Sequence, residues 1–477
     1  MRVLMFGWEF PPHITGGLGT ACYGLTKGLK SIPGTEIIFV VPKLWGDEDK
    51  RSVELVGAGD IPVLQRIETT QQYFREDSFS NNVAQQTFDE QLYSIDQLYD
   101  HVTFVEIASL LSPYLSPEYF EQIIKEKKLE RSKVAITKEG KLVYRENGVV
   151  KYVTVDYNES FGVDDFGRYT FSGTYGPNLM TEVANYAKVA PRIASNYTFD
   201  IIHAHDWLCY PAGVAAKKIS GKPLVIHVHA TEFDRSGESV NQPVYDIERY
   251  GMENADRIIT VSNLTRNIVI EKYGIDPDKV FTVYNAVEPD MSERKKETKK
   301  IDDKIVTFLG RVTFQKGPDY FIEAAFRVLK RMDGVRFVMA GSGDMLKRMI
   351  DRAAELNISD RFHFTNFLKS DDVKRMFDIS DVYVMPSVSE PFGISPLEAM
   401  RANVPVIISK QSGVAELLEH AVKVDYWDID AMADAIYGIL NYKALSEVFK
   451  KYGRKEVDDL QWENAAHHVH KVYLSAL

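Results

Sequence analysis

Cysteine is nearly absent from this chain: Cys22 and Cys209 are the only two among 477 residues. One possible bridge cannot staple a fold of this length, so the sequence reads as built for a reducing compartment, the cytoplasm. Long apolar runs are missing as well. No stretch reaches the roughly 18 uninterrupted apolar residues of a spanning helix, so no transmembrane segment is expected. Met1 to Trp8, followed at once by Glu9, Pro11 and Pro12, has the length of a buried strand rather than the core and cleavage site of a signal peptide. Positive charge is in deficit, because 57 Lys and Arg against 68 Asp and Glu leave a net charge of −11. That balance argues against a nucleic-acid partner.

What is present is alternation. Val3 to Phe6, Ile37 to Val41, Ile201 to His203, Leu224 to His227, Ile258 to Val261 and Val280 to Val283 are short apolar runs of the kind that form buried parallel strands. Helical patterns such as Ala21 to Lys30 and Ala212 to Lys218 lie between them, which favours a doubly wound sheet. After Pro289 the charged run Ser292 to Lys300 reads as a solvated linker. Beyond it Ile305 to Leu309, Val335 to Ala340, Val382 to Met385 and Val404 to Ile408 repeat the pattern around helices expected at about Asp319 to Lys330, Met345 to Glu355 and Ser395 to Arg401. The expected fold class is α/β with two Rossmann-like domains, residues 1–290 and 301–455, and a closing helix over 456–477 able to return to the first domain.

One region does not alternate. Residues from about 57 to 177 read as an insertion carrying a meander, Val134 to Thr137, Lys141 to Tyr144 and Val149 to Val155, with Asn147-Gly148 as the signal of a tight hairpin. Its aromatics, Tyr73, Phe74, Phe79, Tyr114, Tyr119, Phe161, Tyr169, Phe171 and Tyr175, suit a satellite core better than a sugar-stacking platform, since they show no spacing signature.

Three segments can carry chemistry. Gly16, Gly17 and Gly19 follow the first strand and open a helix, where backbone N–H groups and the positive helix end can approach an anion. Gly310-Arg311 at a strand end, with Lys316 shortly after, places two cations where open α/β sheets bind ligands. Glu390 and Glu398 stand eight positions apart in Ser389-Glu390-Pro391-Phe392-Gly393-Ile394-Ser395-Pro396-Leu397-Glu398. A helix would separate them by about 12 Å, wider than the roughly 5 to 9.5 Å of paired glycosidase carboxylates. A loop carboxylate at Glu390 can instead accept hydrogen bonds from sugar hydroxyls, the Phe392 to Ile394 backbone can face ligand oxygens, and Glu398 can receive two ribose hydroxyls. His203, His205 and His227 alternate along strand ends and read as core or supporting histidines, whereas His229 reaches the strand end where ligands bind.

Taken together with His203-Ala204-His205-Asp206-Trp207, His227-Val228-His229 and Asn285-Ala286-Val287, these segments resemble the retaining glycosyltransferases of the two-Rossmann (GT-B) type, in the group containing glycogen and starch synthases. The likeness spans almost the whole chain outside the insertion. It implies two domains facing across a cleft and transfer of glucose from UDP-glucose or ADP-glucose to a glucan or another saccharide acceptor. It also implies that no bound cofactor and no metal take part. In that resemblance Arg311 and Lys316 hold the donor diphosphate beside Gly310. Glu390 and the backbone of Phe392, Gly393 and Ile394 hold the donor sugar, and Glu398 holds the ribose. Gly16 and Gly17 approach from the other domain, His229 contacts the sugar near the reacting centre, Asn285 lines its pocket, Asp206 stands on the acceptor side and Phe367 neighbours the base.

Two positions depart from the bacterial synthases that use ADP-glucose. Ile14 stands before Thr15-Gly16-Gly17-Leu18 where a lysine would be expected, and Pro391-Phe392-Gly393 replaces Pro-Cys-Gly. Both leave the donor base open. The nearest Asp-x-Asp, Asp428-Ile429-Asp430, opens an expected helix and reads as a cap rather than a metal ligand. Transfer to a glycolipid or surface polysaccharide is the second reading, and a sugar-nucleotide epimerase or a non-catalytic glucan-binding protein stands behind it.

Overall fold

The computed structural model describes residues 1–13, 17–63, 134–136, 142–146, 149–153, 164, 167–176, 178–287 and 297–477. In chain order the first strands are β1 (Arg2–Phe6), β2 (Glu36–Val41), β3 (Glu54–Gly57), β4 (Val134–Ile136), β5 (Leu142–Glu146) and β6 (Val149–Val153). They are followed by β7 (Ile201–His205), β8 (Leu224–Val228), β9 (Arg257–Thr260) and β10 (Val280–Thr282). The second half supplies β11 (Lys304–Leu309), β12 (Val335–Ala340), β13 (Phe362–Phe364), β14 (Val382–Met385), β15 (Val406–Ser409) and β16 (Val422–Val424).

These strands build two doubly wound sheets. The first has the order β3-β2-β1-β7-β8-β9-β10 and the second β13-β12-β11-β14-β15-β16, with parallel pairing throughout. Strand order reverses between β1 and β7 in one sheet and between β11 and β14 in the other, and such switch points leave a crevice beyond the carboxyl ends. The apolar runs form strands because both sheet faces are covered. Leu4, Phe6, Ile202 and Ile226 pack on one face with Tyr186, Val189 and Ile193 of the helix Leu179–Asn196. Val3, Met5, Phe39 and Ile201 point the other way, as the two-residue period requires.

That second face is closed from far along the chain. The helix Trp462–Ala476 packs against the helix Gly17–Lys30 and sends Trp462, Val469 and Tyr473 into the first domain's core. Within the insertion, β4, β5 and β6 form a three-stranded antiparallel sheet in which Glu146 pairs with Val149. The turn residues Asn147 and Gly148 lie outside the described residues, as do Tyr73, Phe74, Phe79, Tyr114, Tyr119 and Phe161. Tyr169 and Phe171 join the core, while Tyr175 is exposed. Asp428 caps the helix Ile429–Asn441 by accepting from the N–H of Ala431 at 2.9 Å. Among the described residues no helix is long and apolar enough to cross a membrane.

The approach of the two helices is set at Gly28, where an added Cβ would lie 2.4 Å from the carbonyl oxygen of Trp462. Backbone cannot swing aside, so Gly28→Ala should lower the thermal midpoint: overpacking of about 1–3 kcal/mol outweighs a helix-propensity gain of about 1 kcal/mol. At Gly438, inside Ile429–Asn441, the nearest atom to an added Cβ is 3.9 Å away. There only the propensity gain operates, and Gly438→Ala should hold or raise the midpoint. Calorimetry of the two variants checks the contrast, and equal shifts would remove the packing argument.

Candidate active site

The carboxyl ends of the two sheets face each other across a single cleft of about 830 Å3. Many of the wall residues follow a strand. From the first sheet come Glu9 after β1, Asp206 and Trp207 after β7, His229 after β8 and Asn285 after β10. From the second come Gly310 and Arg311 after β11, Ser342 after β12, Phe367 after β13, and Ser387, Glu390, Phe392, Gly393 and Ile394 after β14. Gly17 opens the helix Gly17–Lys30, and an added Cβ there would meet nothing within 4 Å, so the missing side chain leaves room at the wall. Gly393 adopts φ 101°, which lets the chain turn between Phe392 and Ile394 without the strain another residue would carry.

Of the residues singled out in the sequence, the structure thus brings together His229, Arg311, Lys316, Glu390, Gly17, Asp206, Asn285, Gly310, Phe367, Phe392, Gly393 and Ile394. Gly16 lies outside the described residues. Glu398 is not in the cavity wall; it sits in the helix Ser395–Arg401, half-buried, where burial pushes its carboxyl up against the pull of Lys374. Glu9, Arg235 and Ser342 also line the cleft and were not anticipated, and Tyr175, grouped from the sequence with the aromatics of a satellite core, lines it too. Glu9 and Ser342 carried a readable signal, their places just beyond expected strands.

Charge is unevenly arranged. Lys316 donates to the carboxylate of Glu390, which also accepts from Ser387 Oγ at 3.3 Å and is 8% exposed. Across the cleft Asp206 holds φ 62°, a left-handed conformation that costs about 1–3 kcal/mol in a residue with a side chain. Its N–H donates to the His227 carbonyl at 2.9 Å. One carboxylate oxygen meets Arg235 at 3.4 Å, the other is buried without a partner, and burial raises the carboxyl's pKa. Arg235 is shared with Glu248 at 2.8 Å and Glu232 at 3.5 Å, so a buried ion cluster underlies the Asp206 side of the wall.

Beside it stands a ladder of imidazoles. The rings of His203, His205, His227 and His229 lie 4.2 to 5.4 Å apart in successive contacts, centroid to centroid, from the sheet interior to the cleft. His203 Nδ1 meets the Tyr473 hydroxyl, and His205 Nδ1 lies 3.0 Å from His229 Nε2. Burial, helped by neighbouring imidazoles, drives His203, His205 and His227 well below the ordinary histidine range, and burial alone takes His229 to about 3. The ladder is neutral, and His229 faces the cleft as a hydrogen-bonding group rather than a cation.

Known proteins align with both halves. Residues 290–456 match the family described as Glycosyl transferases group 1, and residues 150–291 match Glycosyltransferase Family 4. An uncharacterized glycosyltransferase of Methanocaldococcus jannaschii is 31% identical over 298 residues, 58% of this chain and 76% of the relative. A glycogen synthase of Mycobacterium tuberculosis is 26% identical over 289 residues, 58% of this chain and 69% of the relative. The structure of Anabaena HepE in complex with UDP-glucose superposes with a TM-score of 0.57 at 14% identity, covering 100% of both chains.

The neutral ladder has a pH signature. Histidines in the unfolded chain bind protons below about pH 6.5 while those in the fold do not. The unfolded state therefore carries more protons there, and stability falls as pH drops, by up to about 1.4 kcal/mol per pH unit for each such group. Urea midpoints should decline between about pH 6.5 and pH 5, less steeply than four histidines alone would give, because burial raises Glu248 to about 7 and its proton uptake in the fold offsets one of them. Both ring nitrogens of His227 are buried without a partner, so His227→Leu should fold at neutral pH and lessen the decline. An unchanged pH slope in that variant would show that the ladder does not set it.

Proposed function

Because the chain belongs to the group 1 glycosyltransferases and has their two-domain GT-B arrangement, we propose that it extends an α-1,4-glucan at its non-reducing end from a nucleoside-diphosphate glucose, with retention at the anomeric carbon. The observation that carries this reading is Arg311 and Lys316, beyond the end of β11, facing Gly17 and His229 across one cavity. Breaking the bond from the anomeric carbon to the β-phosphate oxygen leaves an extra negative charge on the nucleotide and a cationic sugar. Two fixed cations in a cleft stabilise that leaving group without reorganising, and they remove the need for a metal. The acceptor hydroxyl forms its bond on the face the phosphate leaves, and its proton passes to the departing phosphate oxygen.

Glu390 receives hydroxyls of the transferred sugar, the backbone of Phe392 to Ile394 fixes the sugar's orientation, and Phe367, 60% exposed at the rim, offers its ring to the base. Neutral His229 hydrogen-bonds the sugar near the reacting carbon, and Asp206 accepts from a neighbouring hydroxyl of the acceptor. The UDP-glucose bound to HepE and the glycogen synthase relative favour a glucosyl donor and a glucan acceptor. Cys22 and Cys209 are buried and unbridged, which supports a reducing, cytoplasmic setting.

Incubation with UDP-glucose or ADP-glucose, with and without glycogen, tests the proposal through nucleotide release. Glucan-dependent release is expected, and release only with a lipid-linked or surface polysaccharide acceptor would replace the glucan by that class. Lys316→Ala and Glu390→Ala should each lower kcat by about 10²-fold or more while thermal midpoints show the fold intact. Near-normal turnover in both would mean the donor site lies elsewhere.

A further inference from the structure

The inner end of the His229 wall also carries a thiol. Cys22, His205 and His229 each place one donor atom within 4.8 Å of the other two. Tetrahedral Zn²⁺ holds its nitrogen and sulfur ligands at about 2.0–2.3 Å, which sets ligand atoms roughly 3.4–3.7 Å apart. The 3.0 Å between His205 Nδ1 and His229 Nε2 is already close to that spacing, and the thiol lies within 4.8 Å of both.

Nearby groups favour a cation. The carboxylates of Glu9 and Asp206 both act electrostatically on Cys22, and one oxygen of Asp206 is buried without a partner. Imidazole and thiolate together suit a borderline-soft ion, whereas magnesium and calcium take oxygen ligands. The neighbouring triad His203, His205 and His227 is equally tight but differs in geometry. Its rings stack with interplanar angles of 12° to 28°, and nitrogen lone pairs lie in the ring planes, so three stacked rings cannot converge on one ion. Cys22 approaches from the helix Gly17–Lys30, outside that stack.

We propose that Cys22, His205 and His229 form a binding site for Zn²⁺ or a similarly soft divalent ion, with its fourth position open to the cleft, and that occupation switches transfer off. Loading releases the thiol proton to solvent as the S–metal bond forms. Whichever imidazole donates in the His205–His229 hydrogen bond shifts to its other tautomer, so one proton leaves per ion bound. His229 is then fixed on the metal and no longer meets the sugar. The consequence for activity rests on the proposed transfer reaction, but the site itself does not.

Co²⁺ reports the site directly, because cobalt–thiolate bonds give a charge-transfer band. Titration of the full chain should produce that band at one ion per chain, and Zn²⁺ should displace it. Cys22→Ala and the closer-sized Cys22→Ser should both lose the band, while Cys209→Ala, which removes the other buried thiol, should keep it. In transfer assays Zn²⁺ should stop the wild-type enzyme, a chelator should restore it, and Cys22→Ala should keep turning over with Zn²⁺ present. No band in the wild type, or a band that survives loss of Cys22, overturns the site. The spectrum needs no sugar nucleotide, so a failed glucan assay and a failed metal site are separate results.

Discussion

The wall of the second domain depends on one shielded ion pair, the Glu390 carboxylate with the Lys316 ammonium. Their contact joins the loop after β14 to the turn after β11, the two strands that flank the switch point of the second sheet. A backbone bond from Val388 N–H to the Gln315 carbonyl at 2.9 Å runs beside it, so pair and backbone hold one another. Arg311, Lys316 and Glu390 therefore occupy one wall because the sheet reverses there. On the proposed reading a diphosphate gives Lys316 a more highly charged partner, and sugar hydroxyls take its place on Glu390. Neither buried charge is left alone during that exchange, which is the condition a buried pair must meet to open at modest cost.

The opposite wall carries its cost in the backbone. Asp206 is held left-handed because its N–H is committed to the His227 carbonyl and its own carbonyl accepts from Cys209 N–H at 3.0 Å. Those bonds aim the side chain at the cleft and leave one oxygen without a partner. Arg235 limits the electrostatic cost, and Glu248 and Glu232 hold Arg235. Strain and an unpaired polar atom at one residue are what a fold keeps only where surrounding contacts overdetermine it.

The doubly wound architecture was legible because its strands are covered on both faces and so appear as short apolar runs. The wall residues were legible where the chain leaves a strand end, as at His229, Arg311 and Glu390. Arg235 was not, because its role is defined by Asp206 and Glu248, which no local pattern connects to it. Nor was the ladder's depth: alternating histidines mark a strand end, but only the pairing of β7 with β8 places His205 beside His227 and His229 within reach. Glu398 marks a different limit. Its helical spacing from Glu390 could be counted, but the direction of its side chain relative to the cleft could not. The final helix read as helical, while its partner at Gly24 and Gly28 depends on where the chain crosses back.

The two halves touch through apolar packing, with Val261 and Val287 buried in one cluster with Phe392, Leu397 and Val414, and through polar contacts. Ser389 Oγ donates to Asp234 at 2.6 Å, and Glu416 accepts from the N–H groups of Asn263 and Leu264 at 2.9 and 2.7 Å and from the Tyr284 hydroxyl at 2.9 Å. Glu416 thus sits at the positive end of the helix Asn263–Tyr273, a favourable place for a carboxylate. Such bonds exchange readily with water and contribute about 0.5–1.5 kcal/mol each when neutral, somewhat more when charged. The chain crosses between halves beside Val287 and again near Leu460, where Val287 N–H meets the Leu460 carbonyl at 3.5 Å. The two crossings lie side by side, which is where a hinge between two rigid sheets would have to sit.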